Sequence, residues 1–146
     1  MPDSATRKRA AADKRMGKSA STQAGEYVKE EMDHIREGKH GARSTTQAIA
    51  IGLSKARRAG VALKTSKSAS AATRKKAAQD TAAAHDGRAP SAKRARATES
   101  ALRREGRAAA SKTALSRHAT AAAQRRTPAA RSQSARRASR TRATGH

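Results

Sequence analysis

Large apolar side chains are nearly confined to one short stretch of this chain. It contains no Phe or Trp and one Tyr, and beyond Leu63 the large apolar residues are Leu102 and Leu115. Ordering a residue costs about 1–2 kcal/mol in backbone entropy. Two leucines cannot offset that cost over residues 64–146. The sequence therefore predicts a small ordered unit within a mainly disordered chain.

The predicted fold class is mostly α with extensive disorder. We expect a basic disordered arm at 1–20, a helical hairpin at 21–63 and a basic tail rich in Ala, Ser, Arg and Lys at 64–146. The arms can become transiently helical, and the Ala-rich segments of the tail at 67–84, 91–105 and 107–126 favour helix once their charge is neutralised. The low-complexity stretch at 129–146 is predicted to be unstructured.

The first hairpin helix is predicted from Ser21 to about Glu37, with Ser21 or Thr22 as its N-cap. Apolar residues recur there at helical spacing and form one stripe. The large members of that stripe, which we assign to the hairpin core, are Tyr27, Val28, Met32 and Ile35.

The second hairpin helix has clearer signals at both ends. Ser44 and Gln47 fit a capping box, and Gly60 suits the left-handed residue that ends a helix. Ile49 and Leu53 lie on one face and complete the predicted core. Because a hairpin alone covers one face of each helix, we expect a homodimer or stabilisation by a ligand. An alternative is a helix-turn-helix over 47–60, with its turn near Gly52.

The segment Ser44–Gly60, STTQAIAIGLSKARRAG, resembles a group of small, very basic bacterial proteins of uncharacterised function. Their shared core reads roughly S-x-x-Q-A-I-A-I-x-L-S-x-A-R-x-A-G. This resemblance implies a bacterial origin and brings no known active site. The tail is similar in composition to linker histones and bacterial histone-like proteins.

Catalysis, cofactors and metals are not expected from the motifs. Gly17-Lys18-Ser19 lacks the upstream glycine and the strand of a phosphate-binding loop. Glu31 and His34 have the Glu-x-x-His spacing of di-iron helical bundles, but the chain has no second such pair. His40 and the other histidines are scattered along the sequence. We therefore predict that the protein is not an enzyme.

The charge of the chain points to a polyanionic partner. The formal net charge is +23, and residues 64–146 hold 21 Lys and Arg against four Asp and Glu. Nucleic acid binds such chains mainly through release of counterions from its phosphates. The residues predicted to contact phosphates are Arg57, Arg58, Arg74, Lys75, Lys76, Lys93, Arg94, Arg96, Arg103, Arg104, Arg125, Arg126, Arg136 and Arg137.

The predicted function is DNA binding without sequence specificity, by a nucleoid- or plasmid-associated protein. One alternative is a ribosome- or RNA-associated basic protein. A second is a protein-interaction module that uses the acidic helix at 24–37. The sequence shows no secretory signal and no apolar run of membrane-spanning length, so we expect no membrane partner and a cytoplasmic location, or a nuclear one in a eukaryote.

Overall fold

Seven α-helices lie within residues 1–87 and 91–144, the part of the chain that the computed structural model describes. The helices are α1 (Ser4–Arg15), α2 (Ala20–Arg36), α3 (Thr45–Arg58), α4 (Ala71–His85), α5 (Ala92–Arg103), α6 (Lys112–Gln124) and α7 (Pro128–Ala143). A short 3-10 turn at Ala108–Ala110 follows α5.

The prediction of extensive disorder was wrong. The arm at 1–20 contains α1, and the tail at 64–146 contains α4 to α7. Of the stretch at 129–146, which we expected to be unstructured, residues 129–143 belong to α7, and residues 145 and 146 lie outside the described residues. Its start is specified locally, because the Thr127 side chain accepts a hydrogen bond from the Ala130 amide at 3.2 Å and Pro128 occupies the first turn, where its missing N–H costs nothing.

The contacts within the chain divide it into two units. The first unit spans Met1–Ser111 and contains α1 to α5 with the 3-10 turn. The second unit spans Lys112–His146 and contains α6 and α7.

Small side chains form much of the core between α2 and α3. Ala24, Ala48 and Ala56 are fully buried, and they let the two helix backbones approach closely. The residues predicted for the hairpin core fall into two classes. Tyr27, Met32 and Ile35 are buried, whereas Val28, Ile49 and Leu53 are half-buried.

The ends of α2 and α3 follow local rules. The N-cap of α2 is Ser19, not the predicted Ser21 or Thr22, and its side chain accepts from the Thr22 amide. Ser44 accepts from the Gln47 amide at 3.1 Å, while Gln47 Oε1 accepts from the Arg43 amide at 2.7 Å.

At its other end α3 stops at Gly60, which has a φ of +87°. The Val61 amide donates back to the Ala56 carbonyl at 3.0 Å. This is the predicted left-handed termination. The helix runs unbroken from Thr45 to Arg58, so the alternative turn near Gly52 does not form.

Other segments of the first unit cover the hairpin. Ala10 of α1 joins the buried cluster that contains Tyr27 and Ala56. The 3-10 turn is held by the Thr45 hydroxyl, which donates to the Ala109 carbonyl at 2.7 Å, and by Arg36 Nε, which donates to the Ala110 carbonyl at 3.0 Å. These surfaces of the hairpin are therefore covered within one chain, and the homodimer stays a prediction.

Candidate nucleic-acid interface

The second unit is basic throughout. Residues 112–146 carry nine Lys and Arg and no Asp or Glu. All nine cationic residues are exposed, and α6 and α7 have no buried residue. These nine are Lys112, Arg117, Arg125, Arg126, Arg131, Arg136, Arg137, Arg140 and Arg142. The unit therefore presents positive charge that no carboxylate of its own offsets.

The first unit contains all eleven acidic residues of the chain. Within the described residues, eight of these carboxylates lie within 4 Å of a Lys or Arg nitrogen. Internal ion pairs thus reduce the positive field of this unit, although it keeps a surplus of cations.

Two of the predicted phosphate-binding residues form ion pairs with a buried carboxylate of the first unit. Arg58 Nε lies 2.8 Å from Asp80 Oδ1, and Lys76 Nζ lies 2.6 Å from the same oxygen. Arg57 is half-buried, and its Nε is shielded from solvent without a hydrogen-bond partner among the described residues.

Asp80 is the centre of that contact and joins α4 to α3. Its side chain is 1 % exposed, and the Ser54 hydroxyl donates to its second oxygen at 2.6 Å. Burial alone would raise the pKa of Asp80, but hydrogen bonds from Lys76, Ser54 and Arg58 outweigh it and hold this pKa below its usual range. Arg58 and Lys76 therefore have a structural role before any ligand binds.

The remaining predicted residues are exposed. Arg103 pairs with Glu99 one turn away, at 2.6 Å. Arg74, Arg104, Arg126 and Arg137 make hydrogen bonds to carbonyl or hydroxyl oxygens, which leave their charge uncompensated. The side chains of the other six form neither an ion pair nor a hydrogen bond with a described residue: Lys75, Lys93, Arg94, Arg96, Arg125 and Arg136.

The second unit also has exposed cationic residues that the prediction did not name. Arg117, Arg131, Arg140 and Arg142 are exposed in a unit without acids. The sequence alone could have identified these residues, because 112–146 contain no Asp or Glu.

Aromatic stacking is not a feature of this surface. Tyr27 is the single Phe, Tyr or Trp of the chain, and it is 2 % exposed in the core of the first unit. Recognition of unstacked bases depends largely on aromatic platforms. The exposed groups therefore suit phosphates better than bases.

Comparison with known proteins gives no family for this chain. No protein-family model matches it, and neither does a curated protein or a solved structure. The resemblance of Ser44–Gly60 to small basic bacterial proteins stays a prediction. Among the described residues, no helix has the length and apolar character required to cross a bilayer.

Proposed function

We propose that this protein binds nucleic acid, duplex DNA in preference to RNA, through contacts to phosphates and without reading bases. The observation that carries the proposal is the second unit, in which nine exposed Lys and Arg have no carboxylate among them. A nucleoid- or plasmid-associated role in a bacterial cytoplasm fits this chemistry.

The type of cation supports phosphate as the ligand. Eight of the nine cationic residues in the second unit are Arg, whose planar fork can donate two parallel hydrogen bonds to one phosphate. Such contacts position a protein on a duplex but carry little sequence information. Any preference for A·T-rich DNA would come from Arg side chains in a narrow minor groove.

RNA is the alternative partner, since phosphates are common to both polymers. The buried position of Tyr27 argues against recognition of single-stranded loops, which is the usual route to specific RNA binding. A double-stranded RNA region would still offer phosphates to the same Arg side chains.

The acidic helix 24–37 has little unpaired acidic charge with which to bind another protein. Glu30 and Glu31 are 4 % and 0 % exposed, and Lys55 lies 2.6 Å from Glu31 within the same unit. Asp33 pairs with Lys29 one turn away, at 2.7 Å. Most of this acidic charge is therefore engaged inside the chain.

A full-length variant with Arg131→Gln, Arg136→Gln and Arg140→Gln tests the proposal. Gln keeps helix propensity close to that of Arg. Losing three phosphate contacts should reduce duplex affinity on the order of 100-fold near physiological salt. Binding is measured by fluorescence anisotropy on a labelled duplex.

The matched control removes three cations that have carboxylate partners in the first unit, through Arg9→Gln, Lys29→Gln and Lys39→Gln. It changes the net charge by the same amount, and we expect a much smaller loss of affinity. Equal losses in the two variants would mean that the second unit is not the interface.

A further inference from the structure

A polar cluster, buried or half-buried except for the exposed Asp3, lies where the start of α1, α2, α3 and the loop after α2 meet. Its members are Asp3, Glu30, Glu31, His34, His40 and Lys55. Glu31 is fully buried, and the side chains of His34 and His40 are 14 % and 13 % exposed. No pattern in the sequence predicts that His40 lies here. The turn at Gly38, which has a φ of +77°, sends the chain back toward α2.

The donor atoms converge. One ligand atom from each of Glu31, His34 and His40 lies within 4.8 Å of the other two. His40 Nε2 is 3.2 Å from Glu31 Oε1. Two ligands of a tetrahedral Zn²⁺ ion, each about 2.1 Å from the metal, are roughly 3.4 Å apart. The spacing of this pair therefore already suits one shared ion.

The hydrogen bond of His40 Nδ1 leaves Nε2 of this ring available to a metal. His40 Nδ1 is 3.0 Å from the Gly41 carbonyl oxygen. A carbonyl can only accept, so Nδ1 carries the hydrogen and Nε2 of a neutral ring presents its lone pair. That lone pair faces the Glu31 carboxylate. A cation between the two groups, either the proton of a charged imidazole or a metal ion, would satisfy both.

Glu31 itself has incomplete hydrogen bonding. Lys55 Nζ lies 2.6 Å from Glu31 Oε2, but neither oxygen of Glu31 has a well-aligned donor among the described residues. Oε1 of the neighbouring Glu30 is also buried without one. Buried polar atoms in this condition are rare in folded proteins, and an ordered water or an ion is a common partner for them.

The charges of the cluster match a divalent cation. With neutral histidines, three carboxylates and Lys55 leave a formal charge of −2, which one such ion would neutralise. Imidazole and carboxylate ligands, in a chain without cysteine, suit Zn²⁺. The partly exposed histidines give the ion a route from solvent.

We propose that Glu31, His34 and His40 bind one Zn²⁺-type ion, with the carboxylates of Asp3 and Glu30 beside it. Asp3 is already in contact with this group, because its amide donates to Glu30 Oε2 at 3.2 Å and its Oδ2 is 3.4 Å from His34 Nε2. The ion ties the start of α1 to α2 and to the loop after it. Metal binding then adds to the stability of the first unit.

Isothermal titration of the tag-free, chelator-treated full chain with Zn²⁺ tests this proposal. We expect one ion per chain and a higher melting temperature with Zn²⁺. His34→Gln and His40→Gln should each lower the affinity at least tenfold and reduce the thermal shift. The matched controls His85→Gln and His118→Gln, which change histidines outside the cluster, should leave both unchanged.

The variant Lys55→Met distinguishes a metal site from an ion-pair network that binds no metal. Removing the competing ammonium should raise the Zn²⁺ affinity, whereas in a network without a metal it leaves the chain unresponsive to Zn²⁺. Should a His variant fail to fold, NMR of the wild-type chain decides. Zn²⁺ must then shift the imidazole signals of His34 and His40 selectively. Absence of stoichiometric binding, or binding undiminished in both variants, overturns the proposal.

Discussion

A Cβ atom built on Gly52 of α3 would lie 2.7 Å from the Val28 Cα of α2. The two helices therefore touch through backbone at this point, and the half-buried Val28 side chain covers the glycine. This contact explains how a chain poor in large apolar residues forms a packed unit. Small residues bring the helices close enough for many weak contacts to form.

Gly52→Ala should destabilise the first unit. Alanine favours helix by about 1 kcal/mol, but here the added methyl meets backbone that cannot easily shift. Overpacking of this type costs about 1–3 kcal/mol. Urea unfolding followed by circular dichroism measures the change.

Gly25→Ala is the matched control, because Gly25 is exposed on α2 and an added Cβ meets nothing within 4 Å. It should stabilise the protein by about 0.5–1 kcal/mol. If both substitutions stabilise it, the close approach at Gly52 is incorrect.

Gly41→Ala should release the segment after α5. An added Cβ would lie 2.0 Å from the Glu105 carbonyl oxygen. It would disrupt the bonds from the Gly41 amide to the Leu102 carbonyl and from the Ala42 amide to the Gly106 carbonyl. Hydrogen exchange at these two amides should become faster by a factor of ten or more, since a lost bond of about 1.4 kcal/mol has that effect.

Gly106→Ala provides the comparison, as its Cβ would meet nothing within 4 Å. Gly106 belongs to the same contact, since its carbonyl accepts from the Ala42 amide. The substitution Gly106→Ala should nevertheless leave hydrogen exchange at the Gly41 and Ala42 amides nearly unchanged. Equal protection of these two amides in Gly41→Ala and in the wild type would contradict the contact between the loop after α2 and the segment after α5.

Asp80→Asn should weaken the attachment of α4 to α3. The substitution removes a buried carboxylate that accepts from Ser54, Arg58 and Lys76, and hydrogen bonds to charged groups contribute about 1.5–3 kcal/mol. Asp86→Asn, an exposed change at the end of α4, should stay within about 0.5 kcal/mol.

The effect of Asp80 also has a defined pH dependence. Because the folded-state pKa of Asp80 is depressed, its contribution is fully present above the unfolded-state pKa of about 3.9 and is lost as pH falls through the folded value. The difference in unfolding free energy between wild type and Asp80→Asn should therefore shrink below about pH 4. A difference that stays constant from pH 7 to pH 3 would rule out this role.

Local signals could be read from the sequence, whereas tertiary ones could not. Ser44 and Gly60 mark the ends of α3 because capping depends on residues within one turn. Thr127-Pro128 is an equally local start signal for α7. The prediction missed this helix because the low-complexity composition of the following residues indicates disorder. Counting large apolar side chains underestimated order, since it gave no weight to buried alanines of the arm and the tail such as Ala10, Ala77 and Ala110.

Sequence patterns could not predict which residues the buried charged side chains contact. Asp80 meets Ser54 and Arg58 across a separation of 26 and 22 residues. His40 meets Glu31 because of the turn at Gly38, and no periodicity specifies that encounter. By contrast, the basic character of 112–146 follows from composition alone, and so does the candidate interface.

The dependence of affinity on salt tests the central claim most directly. The full-length protein is titrated onto a duplex DNA and a structured RNA of equal length, at several salt concentrations. If about ten phosphates are neutralised, the logarithm of the DNA affinity should fall against the logarithm of salt with a slope near −9, with tighter binding to DNA than to RNA. Failure to bind either polymer in dilute buffer, or an affinity for DNA that does not change with salt, would contradict the account.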